Sequence, residues 1–351
     1  MVFNPYSLLH ELQPLSRPAK INDLSFSRCS RFLACAGNNY IAVWDTETGD
    51  LLQHILVKVP VISIIWHKGK DDCILFGCDD GTICSISDFD PNVENKAHPV
   101  LTDVAGIVYS LGTCVGSDYV AIAVGSDIQV AKQITNESYA AFVVMPPPFA
   151  LPIVEIEADD RIRASAVHLT SGGSRLVASY LNHGIICWDI TLKMSLWTII
   201  PGHRHRHIGS SVLSPNSDHI LVFNLRDGMD LYEFGNSIPT QSYRYSPNAE
   251  SNYTTKLGFL NDGRSVICGA QDSRVRIWDT KSGIQQQILP HDLNLIQALA
   301  CYQGRQYSFI ATADASANPL VKIWRAQSEM VETDTFYGTI CFPRKGIQTA
   351  A

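Results

Sequence analysis

Residues 255–289, TKLGFLNDGRSVICGAQDSRVRIWDTKSGIQQQIL, hold four short apolar segments separated by polar turns. TKLGFL leads through Asn261-Asp262-Gly263-Arg264 to SVICGA, then through Gln271-Asp272-Ser273 to RVRIWD, then through Lys281-Ser282-Gly283 to IQQQIL. The segments are rich in β-branched and aromatic types and bounded by Gly, Asn, Asp or Ser, which is the chemistry of strands joined by tight turns. None carries a convincing helical period. A four-stranded meander of this kind cannot bury both faces alone, so it needs neighbours like itself.

The neighbours are present. The third segment recurs as YIAVWD (40–45), IICWD (185–189) and VKIW (321–324), and in weaker form as GTICSI (81–86), DIQVA (127–131) and GMDLY (228–232). Aligning them places Trp44, Ile86, Ala131, Trp188, Tyr232, Trp278 and Trp324 at one position, at intervals of 42, 45, 57, 44, 46 and 46 residues. Seven units at one period, stacked in a ring, bury each other's faces and leave few free edges. The expectation is one all-β domain over 1–330, with units at about 20–57, 60–97, 105–145, 163–200, 207–243, 254–289 and 295–325, and a C-terminal tail over 331–351.

Composition agrees with a single folded body. Of 351 residues, 46% are hydrophobic and 17% charged, which excludes disorder, collagen and coiled coil. The 27 basic and 34 acidic residues leave a net charge of −7, so no global positive field draws nucleic acid or an anionic membrane, and neither is expected as a partner. The first residues, MVFNPYSLLHELQP, lack a basic region followed by an apolar run, and no stretch approaches the roughly 18 apolar residues of a membrane span. Ten cysteines fall mostly in strand-like segments and never as C-x-x-C, which reads as buried free thiols in a reducing compartment. The chain is therefore expected in the cytoplasm or nucleus, not secreted.

These units resemble the WD-repeat β-propeller family over roughly residues 5–330. The resemblance rests on Trp44-Asp45, Trp188-Asp189 and Trp278-Asp279, on Gly202-His203 and the variant Pro290-His291, and on Asp80-Gly81-Thr82. It implies a seven-bladed propeller of four-stranded antiparallel blades. It also implies that the N-terminal segment, 5–15, supplies the outer strand of the last blade, with SEMVETDTFYGTICF in the tail competing for that edge. In the family a tryptophan, a turn aspartate, a strand hydroxyl and a loop histidine form a hydrogen-bonded tetrad. Here the candidate members are Trp44, Trp188, Trp278, Trp324, Asp80, Asp272, His203 and His291, and no blade clearly assembles all four; blade six offers Trp278 and Asp272 but Cys268 near the hydroxyl position.

Candidate chemistry is sparse. His203-Arg204-His205-Arg206-His207 alternates imidazole with guanidinium and lacks a fitting carboxylate or thiolate, so it is not read as a metal site. The doublets Asp71-Asp72, Asp79-Asp80 and Asp159-Asp160 are turn carboxylates. No nucleophile elbow, zinc-protease helix or phosphate-cradling loop occurs, so no catalytic residue, cofactor or metal is assigned. The longest interval contains Met145-Pro146-Pro147-Pro148-Phe149-Ala150-Leu151-Pro152, a stiff inter-blade linker.

The resulting expectation is a non-enzymatic protein-interaction scaffold or adaptor, monomeric outside its assembly. The alternatives are a propeller enzyme of hydrolase or lactonase type with its site at the central channel, or a nucleic-acid-binding propeller. Three neighbouring loops are expected to gather Phe149, Arg161, Arg163, Arg204, His205, Arg206, His207, Tyr243, Arg244 and Tyr245 on one sector, suited to an acidic or phosphorylated peptide.

Overall fold

A computed structural model describes residues 3–15, 20–70, 72–102, 104–135, 138–149, 161–202, 205–245, 255–270, 272–291, 295–316 and 318–328. The chain begins with β1 (Ser7–Leu12). Blade 1 is β2 (Ile21–Phe26), β3 (Phe32–Gly37), β4 (Tyr40–Asp45) and β5 (Leu51–Leu56). Blade 2 is β6 (Val61–Trp66), β7 (Ile74–Cys78), β8 (Ile83–Ile86) and β9 (His98–Leu101). Blade 3 is β10 (Val108–Thr113), β11 (Tyr119–Val124), β12 (Asp127–Thr135) and β13 (Ser138–Val144). Blade 4 is β14 (Ala164–Thr170), β15 (Arg175–Tyr180), β16 (Gly184–Asp189) and β17 (Met194–Ile199). Blade 5 is β18 (Ser210–Leu213), β19 (His219–Phe223), β20 (Gly228–Glu233) and β21 (Gln241–Arg244). Blade 6 is β22 (Leu257–Leu260), β23 (Ser265–Gly269), β24 (Arg274–Asp279) and β25 (Gln285–Pro290). Blade 7 is β26 (Ile296–Gln303), β27 (Tyr307–Asp314) and β28 (Val321–Gln327), completed by β1.

The ring is thus a seven-bladed propeller closed by its N-terminal strand. β1 pairs antiparallel with β28, from Ser7 opposite Arg325 to Leu12 opposite Val321. Tyr6 fixes the approach: its hydroxyl lies 2.8 Å from Ser308 Oγ, and its backbone exchanges two hydrogen bonds with the Gln287 amide in blade 6. The tail over 331–351 lies outside the described residues.

All seven aligned positions are buried and face the same way. Trp44 stands opposite Leu33, Ile86 opposite Ile74, Ala131 opposite Val120, Trp188 opposite Leu176, Tyr232 opposite Ile220, Trp278 opposite Val266 and Trp324 opposite Ile310. Each belongs to an apolar cluster shared with the preceding blade. Trp44 packs with Phe309 and Ile323 of blade 7, Trp188 with Ile128 and Val130 of blade 3, and Trp278 with Leu221 and Phe223 of blade 5. The repeated residue is therefore the wedge between blades, which is why an isolated unit would not be stable.

The aspartate after Trp44, Trp188 and Trp278 points the other way and folds the next turn. Asp45 Oδ1 accepts the backbone N–H groups of Glu47 (3.0 Å) and Thr48 (3.1 Å), Asp189 Oδ1 that of Leu192 (2.8 Å) and Asp279 Oδ1 that of Ser282 (2.8 Å). Asp80 does the same for the hairpin between β7 and β8, accepting from Thr82 N–H at 2.9 Å. Gly81 beside it has φ +92°, and a Cβ there would stand 1.8 Å from the Val104 carbonyl, so no other residue fits that turn.

One sequence expectation needs correction. Blade 2 was bounded at 97, but its outer strand is β9, which starts at His98. The connection before it is held by Asp90, which accepts from Asn92 N–H (2.8 Å) through its side chain and from Asn95 Nδ2 (2.7 Å) through its carbonyl. Thr312 brings three of the four tetrad members together in blade 7, consistent with no blade assembling all four. Its hydroxyl accepts the Trp324 indole N–H at 3.0 Å and lies 2.6 Å from His291 Nε2, so blade 7 joins tryptophan, hydroxyl and histidine.

Candidate functional site at the channel mouth

The innermost strands of neighbouring blades splay apart and form no ladder with each other, so their inward donors and acceptors need side-chain partners. Those partners line the channel. Asn22 Nδ2 donates to the Val61 carbonyl (2.7 Å), Asp23 Oδ2 accepts from Ile64 N–H (3.1 Å) and Ser25 Oγ from Trp66 N–H (3.0 Å), joining blades 1 and 2. Thr113 Oγ1 accepts from Lys68 N–H (3.2 Å) and Ser110 Oγ from Val167 N–H (3.3 Å), joining blade 3 to blades 2 and 4. His168 Nε2 lies 3.2 Å from Ser211 Oγ, which lies 2.7 Å from Ser179 Oγ. Ser210 Oγ donates to the Thr255 carbonyl (2.9 Å) and Thr255 Oγ1 to the Ile296 carbonyl (2.9 Å), carrying the chain of contacts to blade 7. The channel, about 470 Å³ and lined by residues of all seven blades, is therefore polar for structural reasons.

Burial shifts two histidines along it. His168 is held down to about 3, chiefly by desolvation with Lys68 adding repulsion. His67, whose Nδ1 accepts Gly69 N–H at 3.1 Å, is held down to about 4, again chiefly by desolvation. Both rings are neutral in the folded state, whereas in the unfolded chain they take protons near 6.5. Their contribution to stability is full above that value and is lost as pH falls toward their folded values. Replacing them together, His67→Asn and His168→Gln, is expected to flatten the acid limb of stability, by about 1–2 kcal/mol for each histidine at about pH 5 relative to pH 7.5. Denaturant titrations at the two pH values check this; parallel pH dependences of wild type and variant would contradict it.

The mouth is different. In blades 1, 2, 3, 4 and 7 the pairing of the two inner strands skips one residue: Asn22, Ile62, Tyr109, Ser165 and Gln297. Each skipped residue is a bulge, which re-aims its side chain out of the ladder. In blades 5 and 6, Gly209 and Lys256 take the same place just before the first paired residue. All seven line one cavity of about 330 Å³ at the channel's end, together with Lys20 and Arg163. Tyr109 remains 37% exposed, unusually wet for an aromatic on an inner strand. Lys256 Nζ lies 3.6 Å from the Asp23 carboxylate beneath, whose pKa is raised by burial in spite of that lysine.

The structure distributes the described members of the loop sector expected from sequence among core, ion pairs and surface. Tyr243 is buried on β21, packed against Trp278, and its hydroxyl donates to the Thr280 carbonyl at 2.6 Å. Arg206 is only 4% exposed. Arg244 donates to the Met229 carbonyl (2.7 Å) and pairs with Asp230 (2.5 Å) and Asp227 (3.1 Å), so its charge is answered internally. His205 lies 3.3 Å from Asp227, and His207 Nδ1 lies 2.7 Å from Asn182. Tyr245 is half-buried beneath the Arg276 guanidinium, which itself pairs with Asp272. Phe149 and Arg161 are exposed, and among the described members of the set Arg163 alone reaches the mouth. His203, Arg204, Asp159 and Asp160 lie outside the described residues.

Sequence reading missed Asn22, Ile62, Tyr109, Lys256 and Gln297 because each sits in or beside an apolar strand and looks like core. The available signal was alignment: each stands one residue after the buried position that opens its blade, at Ile21, Val61, Val108, Thr255 and Ile296. Among the described residues, no group of three or more His, Cys, Asp or Glu is placed to hold a metal ion, and no helix is long and apolar enough to cross a membrane. The nine described cysteines are free thiols.

Comparison with known proteins agrees with this architecture. The family described as WD domain, G-beta repeat matches residues 9–45 and 244–279. Each match begins in the outer strand of one blade and ends at the aspartate after the tryptophan of the next, so the sequence repeat is offset by one strand from the blade. No curated protein matches the chain. With two repeats matched by that family and seven four-stranded blades closed by the N-terminal strand, the chain is a WD40-repeat β-propeller.

Proposed function

We propose that this propeller is a non-enzymatic protein-interaction scaffold, a subunit of a larger assembly in the cytoplasm or nucleus, and that it takes an extended segment of a partner protein across the channel mouth. WD40 propellers generally mediate protein–protein interactions. The observation that supports the site is the ring of bulged residues. The polar groups deeper in the channel are engaged in joining blades, whereas Ile62, Tyr109 and Gln297 are turned into the mouth cavity. A rigid ring that presents a concave, half-apolar opening suits an extended chain better than a flat surface does.

The test is affinity purification from cells that express the protein, comparing wild type with the double variant Ile62→Ala/Tyr109→Ala and with Leu56→Ala. Leu56 is 76% exposed on the outer strand of blade 1 and serves as a control far from the channel. The expected result is an unchanged melting temperature in both variants and loss of the specific partners only in the mouth variant. Partners retained by the mouth variant and lost with Leu56→Ala would move the binding surface to the blade edge.

A further inference from the structure

We infer that the partner segment is anchored at this mouth by an aspartate or glutamate side chain lying next to an apolar one. The inference rests on the reading of the mouth as the binding site and adds the chemistry of what it binds. The mouth is polarised around its circumference. Blades 2 and 3 contribute Ile62 and Tyr109, the latter 37% exposed. Blades 6, 7 and 1 contribute Lys256, Gln297 and Asn22, with Lys20 exposed at the rim, and Arg163 stands on the blade 4 side.

Lys20 and Lys256 thus stand at one opening of about 330 Å³ in a protein whose net charge is −7, and among the described residues lining it there is no carboxylate. Asp23, which neutralises part of the Lys256 charge, is buried below the rim and occupied by the backbone N–H groups of Leu24 (3.0 Å) and Ile64 (3.1 Å). A ligand carboxylate would meet the outer side of the Lys256 ammonium together with Lys20, in a recess where charge-assisted contacts are less screened than on an open surface. The apolar half then accounts for the neighbouring side chain of the same segment. Both are lysines, compact point charges that need no bidentate fork, and a carboxylate supplies the single negative charge that such a pair can meet.

The test uses the full chain and fluorescein-labelled peptides with a central Tyr-Glu, Tyr-Gln, Tyr-Lys or Tyr-phosphoserine pair in otherwise randomised flanks, read by fluorescence anisotropy. Tyr-Glu pools are expected to bind most tightly and to weaken with salt. Lys20→Glu combined with Lys256→Gln is expected to raise their Kd by about tenfold or more; the melting temperature falls because buried Asp23 loses its ion partner, while unfolding stays cooperative. Tyr-Gln pools binding as well as Tyr-Glu, with binding still lost in Tyr109→Ala, would overturn the acidic anchor and leave the mouth reading standing. A preference for phosphoserine over glutamate that disappears in the lysine variant would assign a phosphate and overturn the carboxylate. Peptide binding indifferent to both the lysine pair and Tyr109 would overturn the mouth reading together with this inference.

Discussion

Removing residues 1–15 is expected to abolish the cooperative thermal transition of the ring. Among the described residues β1 is the only partner of the outer edge of β28, and its loss leaves the Val321–Gln327 strand as an open edge in the blade that closes the circle. Tyr6 and Leu12, 4% and 7% exposed, would leave the core. At about 1.5–3 kcal/mol for each buried side chain, that alone is about 3–6 kcal/mol, before the ladder hydrogen bonds and the Lys322–Glu11 ion pair are counted. A domain is stable by only about 5–15 kcal/mol, so the truncated chain is expected to aggregate or to melt far below the full one. A synthetic peptide of residues 3–15 supplied in trans should restore part of the transition. Calorimetry showing an unchanged melting temperature for the truncated chain would contradict closure by the N-terminal strand.

The second large effect is at the inter-blade wedge. Trp278→Ala is expected to cost about 3–5 kcal/mol, the range for truncating a large buried aromatic, because the indole fills the space between blades 5 and 6 beside Tyr243, Leu221 and Phe223. Trp324→Phe separates two contributions. Phenylalanine keeps most of the apolar contact with Ile277 and Leu289 of blade 6 but removes the N–H that Thr312 Oγ1 accepts, so a smaller loss of about 1–2 kcal/mol is expected. Denaturant unfolding of both variants checks this. A near-neutral Trp278→Ala would mean that the wedge is not where the fold holds together.

The strand pattern was legible because each blade repeats one physical problem, the burial of both faces of a small sheet, and each solves it with a bulky or apolar residue at one position. Even Ala131 and Ile86 could be placed, since the period carried them where the motif had decayed. The candidate site at the mouth was not legible, for two reasons. Charge does not equal exposure at Arg206 and Arg244: the fold buries the first and pairs the second with Asp227 and Asp230. The strand QSYR is too short and polar to announce itself, so Tyr243 read as loop when its alternation places it against Trp278. The mouth residues were hidden in the opposite sense: a single bulge decides whether Tyr109 faces the core or the channel, and a bulge leaves no mark in an apolar run.

The central claim, that partner protein is held at the channel mouth, is tested most directly by placing a photo-reactive benzoylphenylalanine at position 109 or at position 56 of the full chain, irradiating cells that express it, and mapping the adducts by mass spectrometry. Adducts at position 109 to one recurring partner segment, with none at position 56, are the predicted result. Adducts confined to position 56, with position 109 unreacted, would contradict it.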